Sequence, residues 1–122
     1  MIIGVGAIGK RHFQSLIKLN GKANIYLIDP IFKNIKKNKI KNFLGVKSIK
    51  QNKKIFFFKN INNWIYQNTV IDLCIIATNS NNRFSIFKKL ISPISVKNII
   101  LEKFLFNKLA DYNKALKIYN SK

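Results

Sequence analysis

Cysteine, proline, glycine and acidic residues are all scarce in this 122-residue chain: it has one Cys, two Pro, five Gly and four Asp and Glu together. A single cysteine, Cys74, excludes an internal disulfide framework and fits a reducing compartment, so a cytoplasmic protein is expected. Cys74 lies in an apolar run, where a free thiol behaves as a small buried hydrophobe. No run of about 18 apolar residues occurs, and no membrane-spanning segment is expected. Met1-Ile2-Ile3 leads straight into a glycine turn, which leaves no room for a signal peptide. Internal repeats and obvious linkers are absent, and no metal site is expected. At 48% hydrophobic residues the chain is able to bury a core, as one domain over 1–122.

The shortage of acid leaves a net charge of +19. A surface this basic is able to bind nucleic acid or anionic membrane by neutralising phosphates. Yet Ile, Lys and Asn make up 60 of the 122 residues, all encoded by A/T-dominated codons, and the lysines are scattered from Lys10 to Lys122. Compositional drift therefore accounts for the charge without a polyanionic partner. Non-specific polyanion binding is expected in either case, and a small basic nucleic-acid-binding protein remains an alternative reading.

What is present is organised around Gly4-Val5-Gly6-Ala7-Ile8-Gly9, a G-x-G-x-x-G run between a short apolar strand and a helical pattern. The first glycine permits a sharp turn, the second lets the backbone approach a pyrophosphate, and the third lets helix and strand pack closely. The helix N-terminus then presents free N–H groups to the anion. Asp29 follows 20 positions after Gly9, where a carboxylate is placed to accept hydrogen bonds from the adenosine ribose. It would repel a 2′-phosphate and so favours NAD; nearby Lys33 weakens that preference and keeps NADP possible.

The remaining pattern alternates strands with helices. Strands are predicted at Met1–Ile3, Asn24–Ile28 (ending at Asp29-Pro30), Ile55–Phe58, Val70–Ala77 and Val96–Leu101. The run at 70–77 is apolar apart from Asp72, as a strand buried on both faces should be. Helices are predicted over Ala7–Leu19 (inner face Ile8, Phe13, Leu16 and Ile17, closed by Asn20-Gly21) and over a Lys/Asn-rich stretch from Phe32 to Leu44 broken by Gly45. Three more are predicted over Ile61–Tyr66, over Asn81–Ile91 and over Lys108–Tyr119. In the fourth, Ser80 or Asn81 caps and Phe84, Phe87, Leu90 and Ile91 face inward. In the last, Asn107 caps and Leu105, Leu109, Tyr112, Leu116 and Tyr119 form an apolar stripe. Right-handed crossovers turn this order into an α/β doubly wound parallel sheet, a Rossmann fold with strand order 3-2-1-4-5.

With these landmarks the chain resembles the N-terminal domain of the Gfo/Idh/MocA oxidoreductases, the glucose–fructose oxidoreductase and inositol dehydrogenase family. Gly4 to His12 resembles the family's G-x-G-x-I-G-x-x-H opening, Asp72 to Thr78 its D-x-V-x-I-A-T strand, and Glu102-Lys103-Phe104 its E-K-P motif. The resemblance runs the whole length of the chain. It implies dinucleotide contacts from Gly4, Gly6, Ala7, Ile8 and Gly9, from Asp29, from Thr78 and Asn79 beside the nicotinamide, and from Glu102. It implies that Lys103 assists hydride transfer at a hydroxyl or carbonyl of a sugar, polyol or nucleotide-linked sugar. His12 is expected to pack or cap rather than catalyse. Phe104 and Asn79 stand where the family has prolines, and Asn82-Arg83 where many members have aromatic residues or histidine.

Family members continue into a second α/β domain that supplies the substrate pocket. The chain is therefore expected to be shortened at its first strand and to lack that domain, taking a small carbohydrate-type substrate only if a second domain or partner chain is supplied. Its fifth strand is expected to be an open edge through which it could oligomerise. A non-catalytic remnant or accessory dinucleotide-binding domain is the alternative.

Overall fold

Two adjacent isoleucines define the architecture. Ile2 and Ile3 form strand β1 (Ile2–Ile3) and, because side chains alternate across a strand, they enter opposite faces of one sheet. A computed structural model describes residues 1–65, 70–91 and 96–121, without the side chains of Ile65 and Tyr119. Its sheet comprises β1, β2 (Ala23–Ile28), β3 (Lys53–Phe58), β4 (Ile71–Ile76) and β5 (Val96–Leu101). All its pairings are parallel and the order is β3-β2-β1-β4-β5. This is the doubly wound order predicted from the alternation of elements.

β1 is short but doubly paired, Ile2 opposite Leu27 and Ile75, and Ile3 opposite Ile28 and Ile76. The five helices are α1 (Ala7–Lys18), α2 (Ile40–Leu44), α3 (Asn62–Ile65), α4 (Ser80–Ile91) and α5 (Leu109–Asn120). On one face Ile2, Leu27 and Ile75 pack with Phe13 and Ile17 of α1 and Leu44 of α2. On the other, Ile3, Ile28 and Ile76 pack with Trp64 of α3, with Phe87, Leu90 and Ile91 of α4, and with Ala115 of α5. Each of the strand isoleucines Ile2, Ile3, Ile28, Ile75 and Ile76, 0–4% exposed, contributes about 1.5–3 kcal/mol by leaving water. Double-sided burial explains why β1, β2 and β4 carry consecutive apolar residues instead of an alternating pattern.

Cys74 on β4 is fully buried in this core, and burial pushes its thiol up to about 12. The native chain is therefore expected to resist a thiol reagent at pH 8 and to react once unfolded in guanidinium. Labelling in native buffer at the rate of a free cysteine would contradict this packing.

Several local expectations are corrected. The Phe32–Leu44 stretch is not one helix: it breaks into 3₁₀ turns at Pro30–Lys33 and Lys37–Lys39 before α2, which ends at Gly45 in the left-handed region (φ 66°). Helices this short are marginal alone, and packing holds them, with Phe32 edge-on to Phe43 and Phe57 and Gln14 Nε2 donating to Leu44 O at 2.8 Å. α1 stops at Lys18 with Leu19 extended, ahead of Asn20-Gly21. Ser80 and Asn81 lie inside α4 rather than before it, and α5 begins after Lys108, not after Asn107. Asn107 gives its amide to Asn81 instead.

The inner face of α5 differs most. Leu109 and Leu116 are 78% and 60% exposed, while Tyr112, Ala115 and Ile118 turn to the core. Likewise Ile8, expected inside, is 44% exposed. The end of the predicted third helix, Tyr66, and the side chain of Tyr119 lie outside the described residues. No helix among the described residues is long and apolar enough to cross a membrane.

Candidate functional site

The three glycines of the opening turn each meet a different demand. Gly4 has φ 86°, and a Cβ there would lie 2.8 Å from Thr78 N and 2.9 Å from the Ala77 carbonyl carbon. Both the backbone conformation and the close approach of β4 thus require glycine. Gly6 sits at the N-cap of α1, and a Cβ there would meet nothing within 4 Å, so it borders open space. Gly9, the third residue of α1, lies against Gly4, whose carbonyl oxygen would be 1.9 Å from an added Cβ. The first turn of α1 has no acidic residue, so its free N–H groups and positive dipole end remain available to an anion. Ala7 and Ile8 are exposed in this same turn.

Asp29, expected to serve a ribose, is also built into the glycine turn. Its Oδ2 accepts from Val5 N at 2.7 Å, between the glycines, and its Oδ1 accepts from Ile31 N at 2.9 Å, capping the 3₁₀ turn at Pro30. A carboxylate has about four acceptor positions, so the half-buried group retains capacity for further donors.

Gly4, Gly6, Asp29, Thr78 and Asn79 come together around one cavity of about 440 Å³, with Lys59, Asn60 and Asn82 also on its wall. Its lining follows the C-terminal ends of β1, β2, β3 and β4, at the point where strand order reverses on either side of β1. Doubly wound sheets bind ligands at such points. Thr78 Oγ1 is buried there and has no hydrogen-bond partner among the described residues. A buried hydroxyl without a partner is costly. The residues present thus fit a dinucleotide, with N–H donors for its phosphates, a carboxylate for a ribose and a free hydroxyl beyond. Lys59, not Lys33, is the lysine on the wall; sequence reasoning missed it because it follows a strand without a motif.

Lys103 and Glu102 stand outside that lining, in the segment after β5. Lys103 is exposed. Glu102 Oε1 pairs with His12 Nε2 at 2.5 Å, joining α1 to the end of β5 across 90 residues. That hydrogen bond from His12 is the main cause holding the Glu102 carboxyl below its ordinary pKa. His12 thus neither caps nor only packs; it anchors Glu102. Asp72, within the second motif, lies at the opposite end of β4, exposed and paired with Lys97 at 2.6 Å.

Arg83, marked in the sequence only as a departure from the family pattern, makes four hydrogen bonds beside the site. It is 2% exposed; Nη1 donates to the carbonyls of Glu102 and Phe104 and, at 3.5 Å, of Leu105, and Nη2 donates to Thr78 O. The available signals were that departure and the scarcity of arginine, two against 21 lysines. The Lys103–Phe104 peptide between two of these acceptors is cis.

No protein-family profile and no curated protein matches the chain. Solved structures do. A probable dehydrogenase from Thermotoga maritima superposes with a TM-score of 0.70 at 20% identity, over 98% of this chain and 32% of its own. The myo-inositol 2-dehydrogenase from Lactobacillus plantarum gives 0.66 at 22% identity, over 98% and 32%. The chain thus spans about a third of the length of these proteins. From its first strand to its last helix, this chain has the doubly wound α/β fold found in that third of these dehydrogenases.

Proposed function

We propose that this chain is the cofactor-binding domain of a nicotinamide-dependent oxidoreductase of the Gfo/Idh/MocA type. The observation that carries the reading is the convergence of Gly4, Gly6, Asp29 and Thr78, from three strand ends, on one cavity at the reversal point of the sheet. Gly4, Gly6 and the first N–H groups of α1, at Ala7, Ile8 and Gly9, hold the pyrophosphate. Asp29 accepts from the adenosine ribose, and Thr78 and Asn79 meet the nicotinamide side. Glu102 supports the segment from which Lys103 polarises the substrate oxygen. The bound cofactor supplies or accepts the hydride.

The substrate class is a sugar, polyol or nucleotide-linked sugar, taken with residues beyond those of this chain. The polyol in the name of the L. plantarum neighbour supports that class. Asp29 favours NAD, while Lys59 on the same wall leaves room for NADP.

The test is a fluorescence titration of the purified chain with NADH and with NADPH, followed by a dehydrogenation assay over sugars and polyols. Saturable binding, tighter for NADH, is expected. No saturable binding of either dinucleotide would end the proposal. Binding without turnover by this chain alone is consistent with the proposal, because the substrate is taken with residues beyond it, and with an accessory dinucleotide-binding domain.

A further inference from the structure

We propose that Arg83 is a positioning residue: its guanidinium fastens the segment carrying Lys103 to the end of β4, holding that segment at the nicotinamide side of the cavity. This rests on the dinucleotide reading above and deepens it. One nitrogen, Nη1, reaches the carbonyls on both sides of Lys103, those of Glu102 and Phe104, while Nη2 reaches Thr78 O. Thr78 lines the cavity, and so does Asn82, the residue before Arg83 on α4. The same side chain therefore ties three things together: the cavity wall, the start of α4 and the Lys103 segment.

The chemistry argues for geometry over bulk stability. Burial works against the guanidinium charge, with the Glu102 carboxylate as the main compensating influence. An apolar side chain would pack α4 against the sheet at lower cost. What it could not do is donate to backbone carbonyls in two separate segments. A planar fork with five N–H donors does so, and a lysine, as a point charge, cannot span both segments at once. From the other side, His12 holds Glu102 at 2.5 Å and Glu102 N donates to Ile76 O at 3.2 Å. Lys103 is thus an exposed residue, beside the exposed Phe104, in a stretch whose flanking carbonyls are pinned.

The experiment compares ADP-ribose, which lacks nicotinamide, with NADH on the parent chain and on Arg83→Lys and Arg83→Met. ADP-ribose affinity is expected to stay within about twofold, while the advantage of NADH over ADP-ribose falls about tenfold, the size of one lost charge-assisted hydrogen bond. A parallel loss for both ligands, with a lowered melting midpoint, would mark Arg83 as structural only and overturn the inference, as would unchanged NADH binding. Where both variants fail to fold, acylation of Lys103 in the parent chain, followed by mass spectrometry, decides. NADH should slow it and ADP-ribose should not; equal rates with the two would overturn the placement of the segment. A parent chain that binds ADP-ribose but shows no such difference refutes the role of Arg83 and leaves the dinucleotide site standing. A parent chain that binds neither ligand refutes both.

Discussion

Replacing Gly9 with alanine should cost about 3 kcal/mol, the upper end of what overpacking does in a closed core. The added Cβ would stand 1.9 Å from Gly4 O and 3.0 Å from Gly4 C, both backbone atoms. No rotamer change relieves such a contact. Gly4 cannot retreat, because its N–H donates to Ile28 O at 2.9 Å and its other side abuts Thr78. Either α1 tilts away from β1, uncovering Phe13 and Ile17, or the turn is rebuilt. For a domain of this size the loss corresponds to a fall in melting temperature of roughly 10–15 °C. Thermal melting followed by circular dichroism measures it, and a shift below about 4 °C, near 1 kcal/mol, would show that helix and turn are not in contact. Gly6→Ala is the control. Its Cβ meets nothing, so the fold should melt almost unchanged while dinucleotide affinity drops, since the methyl group would occupy space a phosphate needs.

Asp29→Ala should damage both fold and binding. Two backbone N–H groups, of Val5 and Ile31, lose their acceptor. Hydrogen bonds to a charged group are worth about 1.5–3 kcal/mol and a cap about 1 kcal/mol. A stability loss of about 2–3 kcal/mol follows, with a fall in NADH affinity of at least about tenfold. Asp29→Asn separates the two roles. Val5 N and Ile31 N reach different carboxylate oxygens, so in the same rotamer an amide would turn its NH₂ toward one of them and keep only the other bond. It also removes the negative charge that opposes a 2′-phosphate, and NADPH should gain relative to NADH. Titrations with both dinucleotides and a melting curve on each variant measure these effects. NADH affinity unchanged in Asp29→Ala would refute the ribose assignment, whatever happens to the melting temperature.

These two positions also show which features were readable from the chain. The glycine spacing and the Asp29 offset were legible because their geometry is local: one turn, one helix start and the end of the next strand. The strand predicted at Val70–Ala77, observed over Ile71–Ile76, was legible because a strand covered on both faces needs consecutive apolar residues, and its fully buried Cys74 and Ile76 meet that need. The start of β3 was not. Lys53 and Lys54 look like loop residues, but Lys53 pairs with Ala23 and is buried with its Nζ on Gly21 O at 2.8 Å. A long aliphatic stem lets lysine serve a strand end while its amine finds a carbonyl.

The α5 stripe misled for a different reason. Leu105 precedes the helix, so counting it with Leu109 and Leu116 gave a regular period in the wrong phase. Periodicity reports that a helix has an apolar side, but its neighbours decide which side is covered. Tyr112 turns inward because Phe106 lies edge-on to it, 5.2 Å between ring centroids, and its hydroxyl accepts from Phe106 N.

By itself, the sequence determined the order of strands and helices, the doubly wound class and the glycine turn with its partner acid. All of these follow from residue spacings of about 20 or fewer, and backbone geometry dictates them directly. Only the tertiary structure decided that Asp29 is part of the turn's own scaffold, that His12 holds Glu102, and that Arg83 binds the Lys103 segment to Thr78. Those contacts join residues up to 90 positions apart. A pairing across that distance leaves no periodic trace along the chain, because it exists only after the sheet has brought the strand ends to one edge.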